Sequence, residues 1–199
     1  MSPGLREAKR AAMERRLATI AFDLVRARGF AEVTVDDIVH EADVSRRTFS
    51  NYYACKEAAV AAVVGHRAQA ALDSWVPPHG VDVLGLVGDL VDHEVAQGTL
   101  EVLHEVAALA VEHPHLQPYV HEAQWQVWEG VGARVRAAAD PSDAESAEAV
   151  NLTVGALFGL VSVRLGTGAT DGSGTAATMH EGVRRALGRL RAGLGHPVS

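Results

Sequence analysis

A chain of 199 residues, 48% of them hydrophobic, can fill one large core or a small unit beside a larger one. Its single cysteine excludes an intramolecular disulfide framework, and no uncharged run reaches membrane-spanning length. The N-terminus carries Arg6, Lys9 and Arg10 and no apolar block, which is not a signal-peptide pattern; a soluble, cytoplasmic protein is expected.

The formal net charge of −7 is unevenly spread: residues 1–60 hold ten Lys/Arg against nine Asp/Glu, and the remainder eight against sixteen. Five basic and two acidic side chains fall within the first sixteen residues. Residues 1–9 read as a mobile basic arm. A first helix is expected from near Lys9 to Arg28, with Met13, Leu17, Ile20, Ala21, Leu24 and Val25 as its buried stripe and Gly29 ending it. Arg15 and Arg16 read as a solvated face of that helix.

The next stretch organises the chain. Thr34 is an N-cap signal with Asp37 three residues on as capping-box partner, and Ile38, Val39 and Ala42 follow at helical spacing. Ser45 caps a second short helix, and only Asp43 and Val44 lie between, which leaves room for a sharp corner alone. Two short helices, a tight turn and Arg46-Arg47 opening the second form a helix-turn-helix pattern. In such a motif the start of the second helix faces base edges in the DNA major groove, where Arg bonds guanine bidentately. With Phe30, Ile38, Val44 and Phe49, the first helix's stripe makes a small core.

Thr34-Val-Asp-Asp-Ile38, Ala42-Asp-Val-Ser-Arg-Arg-Thr-Phe49, Asn51-Tyr-Tyr53 and Lys56-Glu57 together resemble the DNA-binding signature of TetR-family regulators, over roughly residues 10–60. The chain departs from that pattern at Asp43, where the turn commonly has Gly, at Ser50, where an aromatic is usual, and at Cys55, which replaces a better N-cap. Asp tolerates the left-handed conformation that such a turn requires. The resemblance implies that Ser45 caps the recognition helix, that Arg46, Arg47 and Ser50 read bases, and that Thr34, Thr48, Asn51, Tyr52 and Lys56 hold phosphates.

Beyond it the pattern is helical throughout. A fourth helix is expected from Lys56 to about Trp75, ended by Pro77-Pro-His-Gly80, and a fifth from about Val81 to Gln97 with Val83, Val87, Leu90 and Val91 on one face. A sixth, Leu100 to Glu112, has apolar stripes on two sides (Leu100, Leu103, Ala107, Val111; Val102, Val106, Leu109) and belongs inside a bundle. Pro118 starts a seventh, with Val120, Val127, Val131 and Val135, ending near Asp140-Pro141. Ser142 with Glu145 caps an eighth reaching about Leu165, with Val154, Phe158, Val161 and Leu165. Thr167 to Thr175 reads as a Gly-rich flexible loop, and a ninth helix carries Met179, Val183, Ala186, Leu190 and Leu194. The expected architecture is all-α, with about nine helices: a three-helix DNA-binding unit at 1–55 and a ligand-binding, dimerising bundle at 56–199.

Asn151, Gly155 and Gly159 at spacing four leave a groove that either packs tightly within the subunit or receives a symmetry partner. The resemblance favours the partner, with the last two long helices forming a homodimer interface of Asn151, Gly155, Gly159, Val183 and Leu190. It also implies an apolar effector pocket, for which Trp125, Trp128, Phe158, Leu103 and Tyr119 are candidates. Ten histidines invite a metal, yet none forms an i, i+4 pair and one cysteine is poor material for a structural site. Cys55 beside Lys56 at a helix start reads either as a weak N-cap or as a reactive thiol. There is no nucleophile elbow and no phosphate-cradling glycine loop. The expected protein uses no cofactor, is not an enzyme, and is a repressor-type regulator that binds a palindromic operator as a dimer and is released by a small molecule. The alternatives are a DNA-binding regulator controlled by a protein partner or by abundance, and a helical enzyme retaining the motif.

Overall fold

The structure, a computed structural model, describes residues 3–139, 144–166 and 175–193. Nine α-helices occur among them: α1 Pro3–Arg28, α2 Val35–Glu41, α3 Arg46–Ser50, α4 Lys56–Ser74, α5 Val83–Ala96, α6 Thr99–Glu112, α7 Gln117–Ala138, α8 Ala144–Gly166 and α9 Ala176–Ala192. A short 3-10 turn, Pro114–Leu116, joins α6 to α7. There is no strand among the described residues. The expected Ser142/Glu145 cap, the loop at 167–174 and Leu194 lie outside the described residues.

Local chemistry accounts for most boundaries. Thr34 and Asp37 form the capping box of α2, and Asp82 accepts from Gly85 N at 2.7 Å to start α5. Gly29, at φ 90°, ends α1. One boundary differs from expectation: the basic segment is helical from Pro3, so α1 carries Arg6, Lys9 and Arg10 outward on an ordered shaft instead of a mobile arm.

The buried residues form one continuous cluster from Leu17 in α1 to Leu187 in α9, and α4 runs through it. On one side α4 packs against α1 and on the other against α7. Gly130 permits the second contact: a Cβ there would sit 2.9 Å from Leu72 Cδ1. The far end of α4 is pinned by a cation on its last carbonyls, as Arg134 of α7 donates to Leu72 O at 3.3 Å and Trp75 O at 3.0 Å. Trp75 is buried and its indole N–H donates to Asp89 Oδ2 at 2.8 Å. The two-sided apolar helix α6 lies in the bundle as expected, with Val102, Leu103, Val106 and Ala107 buried, although Val111 near its end faces outward.

The α8 glycine groove is not filled by the described residues. Val150, Thr153, Leu157 and Val161 form the inward face of α8, while a Cβ added at Gly155 or Gly159 would meet nothing within 4 Å. Leu152, 67% exposed, stands on that same outer face, and Asn151 accepts from Arg136 Nη1 at 3.0 Å. The tight intrachain packing considered from the spacing is not found among the described residues. Val183 is a correction: it is buried within the chain, on the inward face of α9, and so is unavailable to a partner, whereas Leu190 is half-buried.

Candidate nucleic-acid interface and body cavity

The corner between α2 and α3 is made by Asp43, which at φ 49° is the one non-glycine residue in the left-handed region among those described. Ser45 then accepts from Thr48 N at 3.0 Å, so α3 starts at Arg46. Phe49 is buried beneath, and this orients the five-residue α3 so that Arg46, Arg47, Ser50 and Asn51 are exposed. The hydroxyls of Ser45 and Thr48 are 2.9 Å apart, and Thr34 is occupied by its capping box with Asp37.

The two arginines are unlike. Arg46 is held bidentately by Asp36 of α2, Nε to Oδ1 at 2.6 Å and Nη2 to Oδ2 at 2.7 Å, both side chains exposed. That pairing holds the Asp36 carboxyl below its ordinary range. Arg47 makes no ion pair among the described residues and projects into solvent. Arg10 lies over the Tyr52 ring at 5.8 Å, which brings the basic start of α1 alongside the end of the recognition helix.

Lys56 departs from the expected phosphate clamp. Its ammonium donates to Phe30 O at 2.6 Å and Val33 O at 2.7 Å and sits 4.1 Å from the Phe30 ring centroid. It ties the α1–α2 connection to the start of α4. Tyr53, buried, donates to Glu14 O at 3.0 Å and meets His66 Nε2 at 3.0 Å, joining α1 and α4 at the same level. Burial pushes the Tyr53 phenol up and the His66 imidazole down, so both stay neutral and hydrogen-bonded near neutral pH. Cys55 is the N-cap of α4 and makes no side-chain capping bond.

The reading head also leans on the body. Arg26 pairs with Glu105 of α6 at 2.9 Å, Glu57 meets His115 at 3.4 Å, and the Phe30 ring lies 4.7 Å from His113 and 5.6 Å from His115. Both histidine rings therefore lie tilted against an aromatic ring. No cluster of three or more His, Cys, Asp or Glu that could hold a metal occurs among the described residues.

Within the body, α5 to α9 enclose a cavity of about 40 Å³. Leu103, Val127, Trp128, Val131, Val161 and Val183 supply its apolar walls. Of the expected lining, Leu103 and Trp128 reach it. Trp125 does not: it is 57% exposed and stacks edge-on with Phe158, which also stands off the cavity. Tyr119 sits beside Cys55 near the head, whose thiol holds that phenol above its ordinary range.

Two residues on the wall, Glu94 and Thr99, are not among the expected pocket lining. Glu94 is 4% exposed, and among the described residues neither carboxylate oxygen has a hydrogen-bond partner; the Thr99 hydroxyl is likewise buried and without a partner among them. Burial pushes the Glu94 carboxyl up to about 7, with nearby Thr99 opposing the shift. Gln124, also buried, donates to Ser162 Oγ at 3.1 Å. The signal for Glu94 lay in spacing: it falls three residues after Val91 and four after Leu90, on the apolar face of α5.

Residues 19–63, which run from the later part of α1 through α2 and α3 into the start of α4, match the sequence model of bacterial regulatory proteins of the tetR family. A curated Mycobacterium tuberculosis protein, provisionally named a mycofactocin biosynthesis transcriptional regulator, is 40% identical over 50 residues. The chain spans only 25% of that relative's length, and the match takes in 25% of this chain. The fold is shared more widely. A Syntrophomonas wolfei structure provisionally assigned to the TetR family superposes with a TM-score of 0.60, covering 93% of this chain and 97% of that one at 15% identity. A Mesorhizobium loti structure of the same provisional assignment gives 0.52, covering 92% and 96% at 16% identity. The helix-turn-helix region is thus similar to that of the tetR family of bacterial regulatory proteins, and the whole chain shares the all-helical fold of these structures.

Proposed function

We propose that the chain is a transcriptional repressor that grips a palindromic DNA operator as a homodimer and leaves it when a small molecule enters the body cavity. The observation that carries the DNA reading is the exposed row Arg47, Ser50 and Asn51 on α3, flanked by the basic start of α1. Arg47 is the base reader, since its guanidinium is uncommitted among the described residues. Arg46, bound to Asp36, sets the angle of α3 on α2. Selection of duplexes from a random library is expected to return inverted half-sites one helical turn apart, or a multiple of it, as two symmetry-related heads require. On the selected duplex Arg47→Ala is expected to lose about 1–3 kcal/mol of binding and to relax preference at one base pair per half-site. Enrichment of single, non-repeated sites, or an Arg47→Ala protein with unchanged selectivity, would remove this reading.

The dimer is formed through the outer face of α8, with α9 beside it. A helix face carrying exposed Leu152, with Gly155 and Gly159 open to space among the described residues, suits close approach of a second copy. Because a side chain at 155 meets no neighbour in the subunit, Gly155→Leu is expected to leave the fold intact and to break the dimer, costing about 1–3 kcal/mol by overpacking. Sedimentation at micromolar concentration that shows an unaltered dimer would rule this face out.

Release by an effector rests on the cavity and on α4, whose first residue adjoins the recognition helix and whose last turn is held by α5 and α7. Operator and effector must then weaken each other by the same factor. The alternative, a regulator controlled by a partner or by abundance, draws on cavity size: about 40 Å³ is far below the roughly 300 Å³ at which small-molecule sites begin. An effector therefore has to widen the space it enters.

A further inference from the structure

We propose that the cavity is a site for a small aliphatic amine, bound as its ammonium ion with the head group on Glu94 and Thr99 and the chain against Leu103, Trp128 and Val131. This rests on the effector reading and narrows it to one chemical class.

Three properties of the site select that class. The surface of the cavity is almost wholly apolar, and just behind it Glu94 and Thr99 are the lining residues whose side-chain oxygens find no partner among the described residues. An ionised carboxylate only accepts hydrogen bonds, so its complement must bring donors; an ammonium brings three, enough for both Glu94 oxygens and the Thr99 hydroxyl. A second carboxylate would meet like charge at close range, and a plain hydrocarbon would leave the buried oxygens unsatisfied. A single carboxylate is too sparse a ligand set for a divalent metal. Size acts in the same direction. About 40 Å³ admits little more than a water or two, so a slender alkyl chain enters with less displacement of Leu103 and Trp128 than a ring does.

The test uses the full chain and three probes of equal length, hexylamine, hexanol and hexanoate, titrated by calorimetry at pH 8. Wild-type protein is expected to bind hexylamine at least tenfold more tightly than hexanol and to show no heat with hexanoate. In Glu94→Gln, where the side chain keeps its shape and loses its charge, amine and alcohol are expected to bind within a factor of about two of each other. Leu103→Phe, which fills the cavity without touching Glu94 chemistry, is expected to abolish hexylamine binding. The proposal is overturned if wild type ranks hexanol or hexanoate level with hexylamine, if Glu94→Gln keeps the amine preference, or if none of the three binds at millimolar concentration. A water-filled cavity with hydrated Glu94 would give the last result. The effector reading fails separately: hexylamine binding with wild-type selectivity, but with no change in affinity for the selected duplex, leaves the amine site standing and removes release by ligand.

Discussion

The Glu94→Gln protein is expected to match wild type in stability at pH 4.5 and to exceed it by about 3 kcal/mol at pH 8. Burial raises the Glu94 carboxyl from an ordinary 4.5 to about 7 in the folded chain. Below about 4.5 both folded and unfolded chains hold the proton and the group is neutral in each. Between there and about 7 the unfolded chain has released its proton while the folded chain keeps it, so stability falls as pH rises. At 1.36 kcal/mol per pH unit, the gap from 4.5 to about 7 amounts to about 3 kcal/mol, lost fully above pH 7. Gln carries no titrating proton and escapes this loss. Urea unfolding at pH 4.5, 6, 7 and 8 measures it; parallel curves for the two proteins would mean that the carboxylate has a partner in solution. Saturating hexylamine should narrow the difference at pH 8, because it supplies the missing donors to wild type alone.

Lys56→Met is expected to lower stability by about 2 kcal/mol while leaving the salt dependence of DNA binding unchanged. Methionine keeps an apolar stem but abandons two carbonyls, Phe30 O and Val33 O, that now receive charge-assisted bonds at 2.6 and 2.7 Å. Each such bond is worth about 1.5–3 kcal/mol when shielded, and Lys56 is half-buried, so the pair is discounted. A phosphate-contacting lysine behaves in the opposite way: its loss costs little stability and reduces the salt slope by about one. Urea midpoints and anisotropy titrations at several salt concentrations separate the two roles. Wild-type stability with a shallower slope would restore Lys56 to the DNA surface.

Lys56 also marks the limit of what the sequence discloses. Helix caps are local chemistry, and Thr34 with Asp37, Ser45 with Thr48 and the left-handed Asp43 were all readable within four residues of chain. The apolar stripes were readable because helical spacing repeats. What escaped were the bonds that close long loops. Arg46 finds Asp36 ten residues away, and Lys56 finds Phe30 twenty-six residues away. Charge and position alone gave both the look of DNA contacts. On α7 the two tryptophans read alike, yet the buried face runs through Val120, Gln124, Val131 and Val135, so Trp128 shares that side and Trp125, one step round from Gln124, is turned outward. Glu94 is legible by the same spacing, but a lone acid in an apolar stripe discloses its role only once its surroundings are seen.

The helix α4 is clamped at both ends by cations on carbonyls: at its start Lys56 grips the α1–α2 connection, and at its finish Arg134 grips Leu72 and Trp75. In mechanical terms it is a beam fixed at two supports. Its 19 residues make it about 28 Å long, so each degree of tilt moves one end by about 0.5 Å relative to the other. A sideways push of about 1 Å on the cavity end, the scale of one displaced side chain, would rotate it by about 2° about its near support. With no proline and a single glycine, Gly65, α4 has no sharp kink site, so part of such a push travels along it as rotation. On the proposed release mechanism, it would reach the reading head through the Lys56 bonds to the α1–α2 connection. In a dimer the two heads turn in opposite senses, which changes their spacing, and a spacing fixed by the pitch of DNA is the quantity least tolerant of such a change.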